Sequence, residues 1–403
     1  MSEMLQGTLG EFVTQISGGG TPARDIAEYW TGKIPWISVK DLASSNPEST
    51  AERISEYGLS SSSSRLIPSG IPIVATRMAV GRAAVYSSDV AINQDLKAIF
   101  PNEELLHRKY LFHFLKANEE TLASKGTGST VKGIRLEDLE QLPICVPPLP
   151  EQKKIAEILS GIDNLIKTID IKIAKLNIAN TEVSRDIFSD FSPTEEEAVL
   201  PQDQSKSIKT LPLESVCEAV VDCKNRTPPY VDRGYPVIRT PNVRNGRLVI
   251  ADLRYTDEES YQIWTARSVP RPMDILFTRE APLGEACLIP NGFRCCLGQR
   301  MMLFRANKSL LDPQYLLYAM MSPFVQEQLG KSKGGTTVGH ARVTDIRKIK
   351  IPILPMEKQL QVGYLLASIK SCLQQTIEKK EKMRAKKNAL ASDLLSGRKR
   401  VST

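Results

Sequence analysis

The chain has 403 residues, enough for two or three domains that each bury a core of their own. Apolar residues make up 41% and charged residues 25%, the balance of an ordinary globular protein, and no apolar run nears the ~20 residues that cross a bilayer. The net charge of +7 is modest, but it is gathered at one end of the chain.

The opening stretch, MSEMLQGTLGEFVTQISGGG, has no basic start and no apolar block, so no signal peptide is expected. Short β-rich runs bounded by Gly and Pro follow (IPWISV, GIPIVAT, LKAIF), then a helix, YLFHFLKANEETL. Residues 1–150 therefore read as a mixed α/β domain. Next, "LPICVPPLPEQKKIAEIL" (Leu142 to Leu159) passes from a proline-rich strand directly into a long helix, expected over 151–191. A polar linker occupies 192–210, a second α/β domain 211–356, a second long helix 357–397 and a basic tail 398–403. From Glu357 onward eleven basic residues meet four acids, which accounts for the whole net excess. Such a surface faces phosphate or simply solvent, and composition leaves both readings open.

Seven cysteines (Cys145, Cys217, Cys223, Cys287, Cys295, Cys296 and Cys372) are scattered, form no CxxC pair, and are not completed to a zinc set by three histidines. Reduced, mostly buried thiols are expected, which suits the cytoplasm.

The chain is written twice. GSTVKGIRLEDLEQLPICVPPLPEQ (Gly128 to Gln152) returns without a gap 207 residues later as GTTVGHARVTDIRKIKIPILPMEKQ (Gly335 to Gln359). Upstream, IPWISVKDL (34–42) faces YPVIRTPNV (235–243), IPIVATR (71–77) faces MDILFTR (273–279), and KYLFHFL (109–115) faces QYLLYAM (314–320). Small shifts between these matches are what loops tolerate.

Each helix carries a strict stripe with alternating steps of four and three. In the first it runs through Ile155, Leu159, Ile162, Ile166, Ile169, Ile173, Leu176, Asn180, Val183 and Ile187. In the second it runs through Val362, Leu366, Ile369, Leu373, Thr376, Lys380, Met383, Lys387, Leu390 and Leu394. A seam this narrow calls for a partner helix rather than a broad globular face. Each helix would be about 57 Å long. A parallel pair would stretch the linker back along most of that length, whereas an antiparallel pair leaves it slack. The expected architecture is two homologous mixed α/β domains joined by two antiparallel coiled-coil helices, a pseudo-two-fold dumbbell. Lys380 and Lys387 break the stripe and predict that the second helix frays or turns outward there.

Motifs for chemistry are incomplete. RTPPY (226–230) resembles the [DN]PPY loop of amino-group methyltransferases, but Thr227 stands at the polar position and no FxGxG motif precedes it. A proline turn is the plainer reading. KGTGSTVKG (125–133) and KGGTTVGH (333–340) have the glycine spacing of phosphate loops without the Lys-Ser/Thr that holds phosphate and magnesium, which argues against nucleotide hydrolysis. Their backbone N–H groups, with Lys125, Lys132, Arg135, Lys331, Lys333 and Arg342 alongside, suit a DNA phosphate or form a plain surface turn. No acid cluster suggests a nuclease, and no catalytic, cofactor-binding or metal-binding residue is assigned.

Two α/β units, each closing in a (I/L)P(I/V)…PPLPEQ-like strand and a long IAEIL…IDNLI…L helix, resemble the specificity subunit of type I restriction-modification systems. "LPICVPPLPEQKKIAEILSGIDNLI" and the GTP…IPWIS opening at Gly20 carry the likeness, which covers nearly the whole chain. The second copy departs from it at Pro355-Met356-Glu357-Lys358-Gln359, which reads as drift at a helix start.

The resemblance implies that each globular domain recognises one half of a bipartite, asymmetric DNA site, and that the helices set the unread gap. It also implies that the helices dock two modification subunits, which carry S-adenosylmethionine and flip an adenine for N6 methylation. Restriction subunits that use ATP and Mg would add translocation and cleavage, and this chain would catalyse nothing by itself. Base reading needs Arg, Lys, Asn and Gln side chains at groove edges. Candidates beside the turns are Lys40, Arg77, Arg82, Asn93 and Gln94 in the first copy, and Arg239, Asn242, Arg244, Arg279 and Gln299 in the second. A stand-alone methyltransferase acting at Thr227 to Tyr230, and a scaffold with no DNA role, are the alternatives.

Overall fold

The computed structural model describes residues 3–43, 50–128, 132–188, 191, 209–224, 226–331 and 341–402. The chain divides into two compact units, Met1–Asp170 with Glu378–Thr403, and Ile171–Ile377. This division cuts across the expected domain boundaries, because each long helix contributes part of its length to each unit. Most of the expected linker, 192–208, lies outside the described residues.

In the first unit Val13–Gly18, Leu96–Pro101, Ile73–Ala75 and Ala83–Ala84 form an antiparallel sheet in that order. A second sheet runs Glu52–Ile54, Ile34–Ile37, Val90–Ile92 and Arg65–Ile67, with Ile34–Ile37 parallel to Val90–Ile92. Buried Ile37, Ile67, Ile73, Ile92 and Leu96 join the two sheets in one core. Helix Arg108–Ala117 buries Tyr110, Leu111 and Phe114. A two-stranded ribbon, Leu5–Thr8 with Pro143–Val146, brings the N-terminal strand to the end of the domain.

The second unit repeats the plan. Its antiparallel sheet has the order Cys217–Asp222, Met301–Ala306, Ile275–Thr278, Ala286–Leu288, and its second sheet keeps the parallel pairing, Tyr235–Ile238 with Cys296–Leu297. The ribbon is Lys209–Pro212 with Lys350–Ile353. One feature has no counterpart among the described residues of the first unit: a tight hairpin, Val243–Arg244 with Arg247–Leu248, turning at Asn245 (φ 51°) and Gly246 (φ 82°). Positive φ at both positions is what a two-residue hairpin loop requires, and Asn-Gly is the pair that adopts it most easily.

The register corrects one pairing read from the sequence. In the first unit Ala75 N–H donates to Arg82 O and Gly81 N–H to Ala75 O; in the second, Thr278 N–H donates to Glu285 O and Gly284 N–H to Thr278 O. Ala75 is thus the counterpart of Thr278, and Arg77 falls opposite Glu280, not Arg279. A slip of one residue moves a strand's side chains to the other face, so Arg77 and Arg279 are not equivalent. Matching apolar letters do not detect such a slip where the strand is buried on both faces, as Ile275–Thr278 is.

The long helices span Leu149–Phe188 and Met356–Leu395, 40 residues each, with starts and ends in step across the repeat. They begin two residues and one residue before the expected boundaries, and the second stops two residues short of the expected end at 397. A buried glutamine ties down each start. Gln152 accepts from His107 N–H (2.8 Å) and donates to Leu105 O and Pro147 O (both 2.7 Å). Gln359 accepts from Asp312 N–H (2.9 Å) and donates to Leu310 O (3.0 Å) and Leu354 O (2.8 Å). Beside them the buried Tyr110 hydroxyl donates to Cys145 O (2.7 Å) and Tyr315 to Pro352 O (3.1 Å). One side-chain amide thereby serves three backbone groups that the proline-interrupted junction would otherwise bury without partners.

Within each unit the two helices run antiparallel. In the first, Ile155 and Leu159 share a core with Leu390, Ala391, Leu394 and Leu395. In the second, Val183, Ile187 and Phe188 share one with Val362 and Leu366. Along the stripe Ile166 is buried, and Ile162, Ile169, Ile173, Leu176, Ile369, Leu373 and Met383 are half-buried. A fully buried Leu such as Leu159 or Leu366 contributes about 1.5–3 kcal/mol. The lysines do not turn the helix outward. Lys387, its side chain 12% exposed, donates to Asp163 at 2.6 Å, and Lys380 pairs with Asp170. Each cation is matched by a carboxylate on the facing helix, and the helix continues unbroken to Leu395.

At the far end Arg400 makes a two-pronged ion pair with the buried Glu151 (2.8 and 2.7 Å), which also accepts from Val401 N–H. The expected basic tail is therefore part of the first unit. The second copy has Lys358 at the place of Glu151, so its departure from the PEQ pattern accompanies the loss of this ion pair.

Gln152→Leu keeps the volume and orphans Leu105 O, Pro147 O and His107 N–H. At about 1–3 kcal/mol per buried unpaired group, urea unfolding should show a loss of at least about 3 kcal/mol. Lys153→Leu, at the exposed neighbouring position, should change stability by less than about 0.5 kcal/mol.

Candidate nucleic-acid interface

In the first unit three turns meet. Thr76 N–H donates to Asp95 O (2.8 Å) and Ile134 N–H to Thr76 O (2.9 Å), which draws the Asn93–Asp95 turn and the 125–134 loop onto the strand end at Arg77. Thr127 and Gly133 exchange both backbone bonds (2.9 and 3.0 Å); residues 129–131 lie outside the described residues. Gly133 packs against the Arg77 side chain, where an added Cβ would lie 3.2 Å from Arg77 Cγ. Arg77, Gln94, Lys125, Lys132 and Arg135 are exposed. Gln94 is held by Thr21 Oγ1 at 2.6 Å. Met78, between them, has φ 61° and stands 66% exposed, its N–H held by Lys132 O at 3.0 Å. Lys40 is exposed on the short helix Val39–Ala43.

Other predicted readers are spent on structure. Asn93 is buried and closes its own turn with Asp95 (both bonds 3.1 Å). Arg82 stands 3.6 Å from Glu119. In the second unit Asn242 is buried and donates to Val249 O (3.1 Å) and Ala251 O (3.3 Å). Arg239 donates to Asp252 O (2.8 Å), and Arg244 to Thr240 O (2.6 Å) and Val243 O (2.7 Å). Arg279, its side chain 11% exposed, faces Asp222 at 3.7 Å. Gln299 and Arg342 remain exposed, as does Lys331, which pairs with Glu327 at 2.9 Å. Lys333 lies outside the described residues, with all of 332–340.

Residues the sequence did not single out include cations lying over aromatic rings. Arg24 sits 3.8 Å above Trp30 and bonds Glu52; Arg226 and Lys224 lie 5.1 and 5.2 Å from Trp264; Arg294 lies 5.0 Å from Tyr235, which stacks on Tyr261. Pairings of this kind depend on tertiary placement and leave no spacing signal. In the RTPPY stretch Pro229 O accepts from Thr256 Oγ1 (2.8 Å) and Arg226 O from Trp264 Nε1 (3.0 Å), as suits a packed turn.

The largest displacements of titratable groups come from burial. The Cys217, Cys287 and Cys296 thiols are pushed up to about 12, which leaves them poor nucleophiles. Lys370, desolvated in the second unit, is pushed down to about 8. His113 in the first unit is pushed down to about 4 by burial, with Lys387 and Lys116 acting in the same direction and Asp163 opposing. Among the described residues no group of three or more His, Cys, Asp or Glu could hold a metal ion, and no helix is long and apolar enough to cross a membrane.

A duplicated α/β module with cation-bearing turns and paired helices defines a class of two-module binding proteins. The description "Type I restriction modification DNA specificity domain" matches residues 1–177 and 206–385, and the chain belongs to that family as a type I specificity subunit. It is 26% identical over 363 residues to the Type I restriction enzyme MjaIX specificity subunit of Methanocaldococcus jannaschii, covering 87% of this chain and 82% of that one. It is 36% identical over 169 residues to the EcoR124I/EcoR124II specificity subunit of Escherichia coli, covering 40% and 41%. The fold matches the crystal structure of a type I S subunit from M. genitalium with a TM-score of 0.64 and 14% identity, over 98% of this chain and 96% of that one.

The unfolded state takes up the His113 proton near the ordinary 6.5 and the folded state only near 4, so stability should fall as pH drops through that window. The full effect is about 3 kcal/mol. Thermal melts of His113→Phe from pH 7.5 to 4 should lack this part of the decline, whereas parallel curves for the two proteins would rule it out.

Proposed function

We propose that the chain reads a bipartite, asymmetric double-stranded DNA site, one module per half-site, with the long helices spacing the two readings. The contrast between frame and loop supports this reading. Gln152 and Gln359, and Tyr110 and Tyr315, keep the same bonds in both copies, while Arg77 and Met78 are replaced at the equivalent positions by Glu280 and Ala281. Two modules with one frame and different exposed turns suit two different half-sites, which a homodimer's identical modules would not. Phosphate contacts from Lys125, Lys132 and Arg135 would position the module, and Arg77 and Gln94 would meet base edges.

The helices would also dock two modification subunits, and through them restriction subunits. Off the seam they leave Leu360, Tyr364, Leu365, Ile171 and Ile178 exposed, an apolar surface that suits a protein partner. S-adenosylmethionine, ATP and Mg would be bound by those partners, methylation and cleavage would be theirs, and the assembly would act on cytoplasmic DNA.

Deleting the gene should erase a single bipartite adenine-methylated motif from the host methylome; an unchanged methylome would count against the reading. In the assembled complex, Arg77→Glu with Lys132→Glu should weaken DNA binding without changing the melting temperature. The slope of log affinity against log salt should drop by about 0.9 for each phosphate that the variant no longer neutralises. Arg279→Ala should instead destabilise the second unit, because it leaves Asp222 without its partner.

A further inference from the structure

The first unit contains an open cleft of about 1320 Å³ between helices Arg108–Ala117 and Glu119–Ser124 on one side and the two long helices on the other. Its floor includes Phe114, Leu159, Ile166, Ala391 and Leu395, and its rim includes Lys116, Glu120 and Arg384. Small-molecule pockets span roughly 300–1,000 Å³, so this volume suits a stretch of polypeptide better.

The second unit, built on the same frame, fills the corresponding place with its own chain. Lys370 stands there where the first unit has Asp163, Tyr318 where it has His113, and Met321 where it has Lys116. Onto these residues folds the Val243–Leu248 hairpin. Lys370 Nζ donates to Asn245 O at 3.2 Å, Arg247 donates to Lys370 O at 2.9 Å, and Gly246 lies against Met321. Farther along, Phe191 packs on Phe188 and Phe324, with ring centroids 6.5 and 5.8 Å away.

Among its described residues the first unit lacks the aromatic half of this plug. Leu395 stands in the place of Phe188, and Arg398 in that of Phe191, its side chain 63% exposed and bound to Asp393 at 3.1 Å. Helix Glu119–Ser124 opens with two glutamates, whereas helix Pro323–Lys331 opens with Pro323 and Phe324. Along the wall His113 bonds Ser160 (2.9 Å), and Asp163 pairs with both Lys387 (2.6 Å) and Lys116 (3.5 Å), so the cleft is lined by ion-paired side chains with one cation in excess and by bare apolar atoms.

We propose that this cleft receives a segment of the modification subunit that carries an aromatic side chain, supplied from outside where the second unit supplies Phe191 from within. The proposal rests on the docking reading above and adds an asymmetry to it: the first unit binds its modification subunit through an inserted segment, and the second does not.

Asn388 is exposed and lines the cleft, and Thr181 is its exposed counterpart on the first long helix in the second unit. Titration of the full chain with a purified modification subunit should show that Asn388→Trp lowers affinity by about tenfold or more at the first-unit site, while Thr181→Trp changes it less than about twofold. Ala123→Trp, on the opposite wall, should reproduce the loss if Asn388→Trp proves unstable by thermal melting. Unchanged affinity in both folded cleft variants overturns the proposal, and equal losses in Asn388→Trp and Thr181→Trp overturn the asymmetry. If the unaltered chain binds no modification subunit at all, the docking reading itself fails.

Discussion

Each half of this protein depends on one buried amide. Where a strand broken by prolines must turn into a 40-residue helix, backbone groups on both sides lose their regular partners. Gln152 and Gln359 satisfy three of them apiece, joining the strand end, the helix start and the loop before Tyr110 or Tyr315. A glutamate there would place a charge in a site that needs two donated hydrogens, and a hydrophobic residue would leave all three groups unpaired. The direction in which each helix leaves its domain is thereby fixed by hydrogen bonding, and the apolar seam then has only to match the two helices.

With that junction fixed, the sequence can carry the design in readable form. The ungapped repeat around PEQ, the stripe from Ile155 to Ile187 and the antiparallel argument from linker length all follow from short-range pattern and chain geometry. The lysines at 380 and 387 are harder to read, because their partners Asp170 and Asp163 lie off the stripe of the opposite helix, and only the pairing brings them together. Strand register is not legible where neighbouring residues are all buried and alternation gives no signal, as at Ile275–Thr278.

The candidate interface is the least legible part, for a chemical reason. Asn, Gln and Arg suit base edges because they present several donors and acceptors, and for the same reason they satisfy backbone groups in tight turns. Asn242, Arg244 and Asn93 are used in the second way, Gln94 and Arg77 remain available for the first, and one-letter codes do not distinguish them. Met78 gives no sequence signal because an exposed methionine has no pattern of its own, and its left-handed backbone emerges only from the loop that holds it.

The contact between Glu151 and Arg400 gives the duplicated chain an orientation that its repeated letters lack. The carboxylate near the first helix start is neutralised only by the last few residues, and the equivalent position in the other copy already bears a lysine. The second module, placed at the first end, would therefore set Lys358 against Arg400. The two ends of the chain are chemically distinct, and of the two helix starts only the one that carries a carboxylate suits the end that holds Arg400.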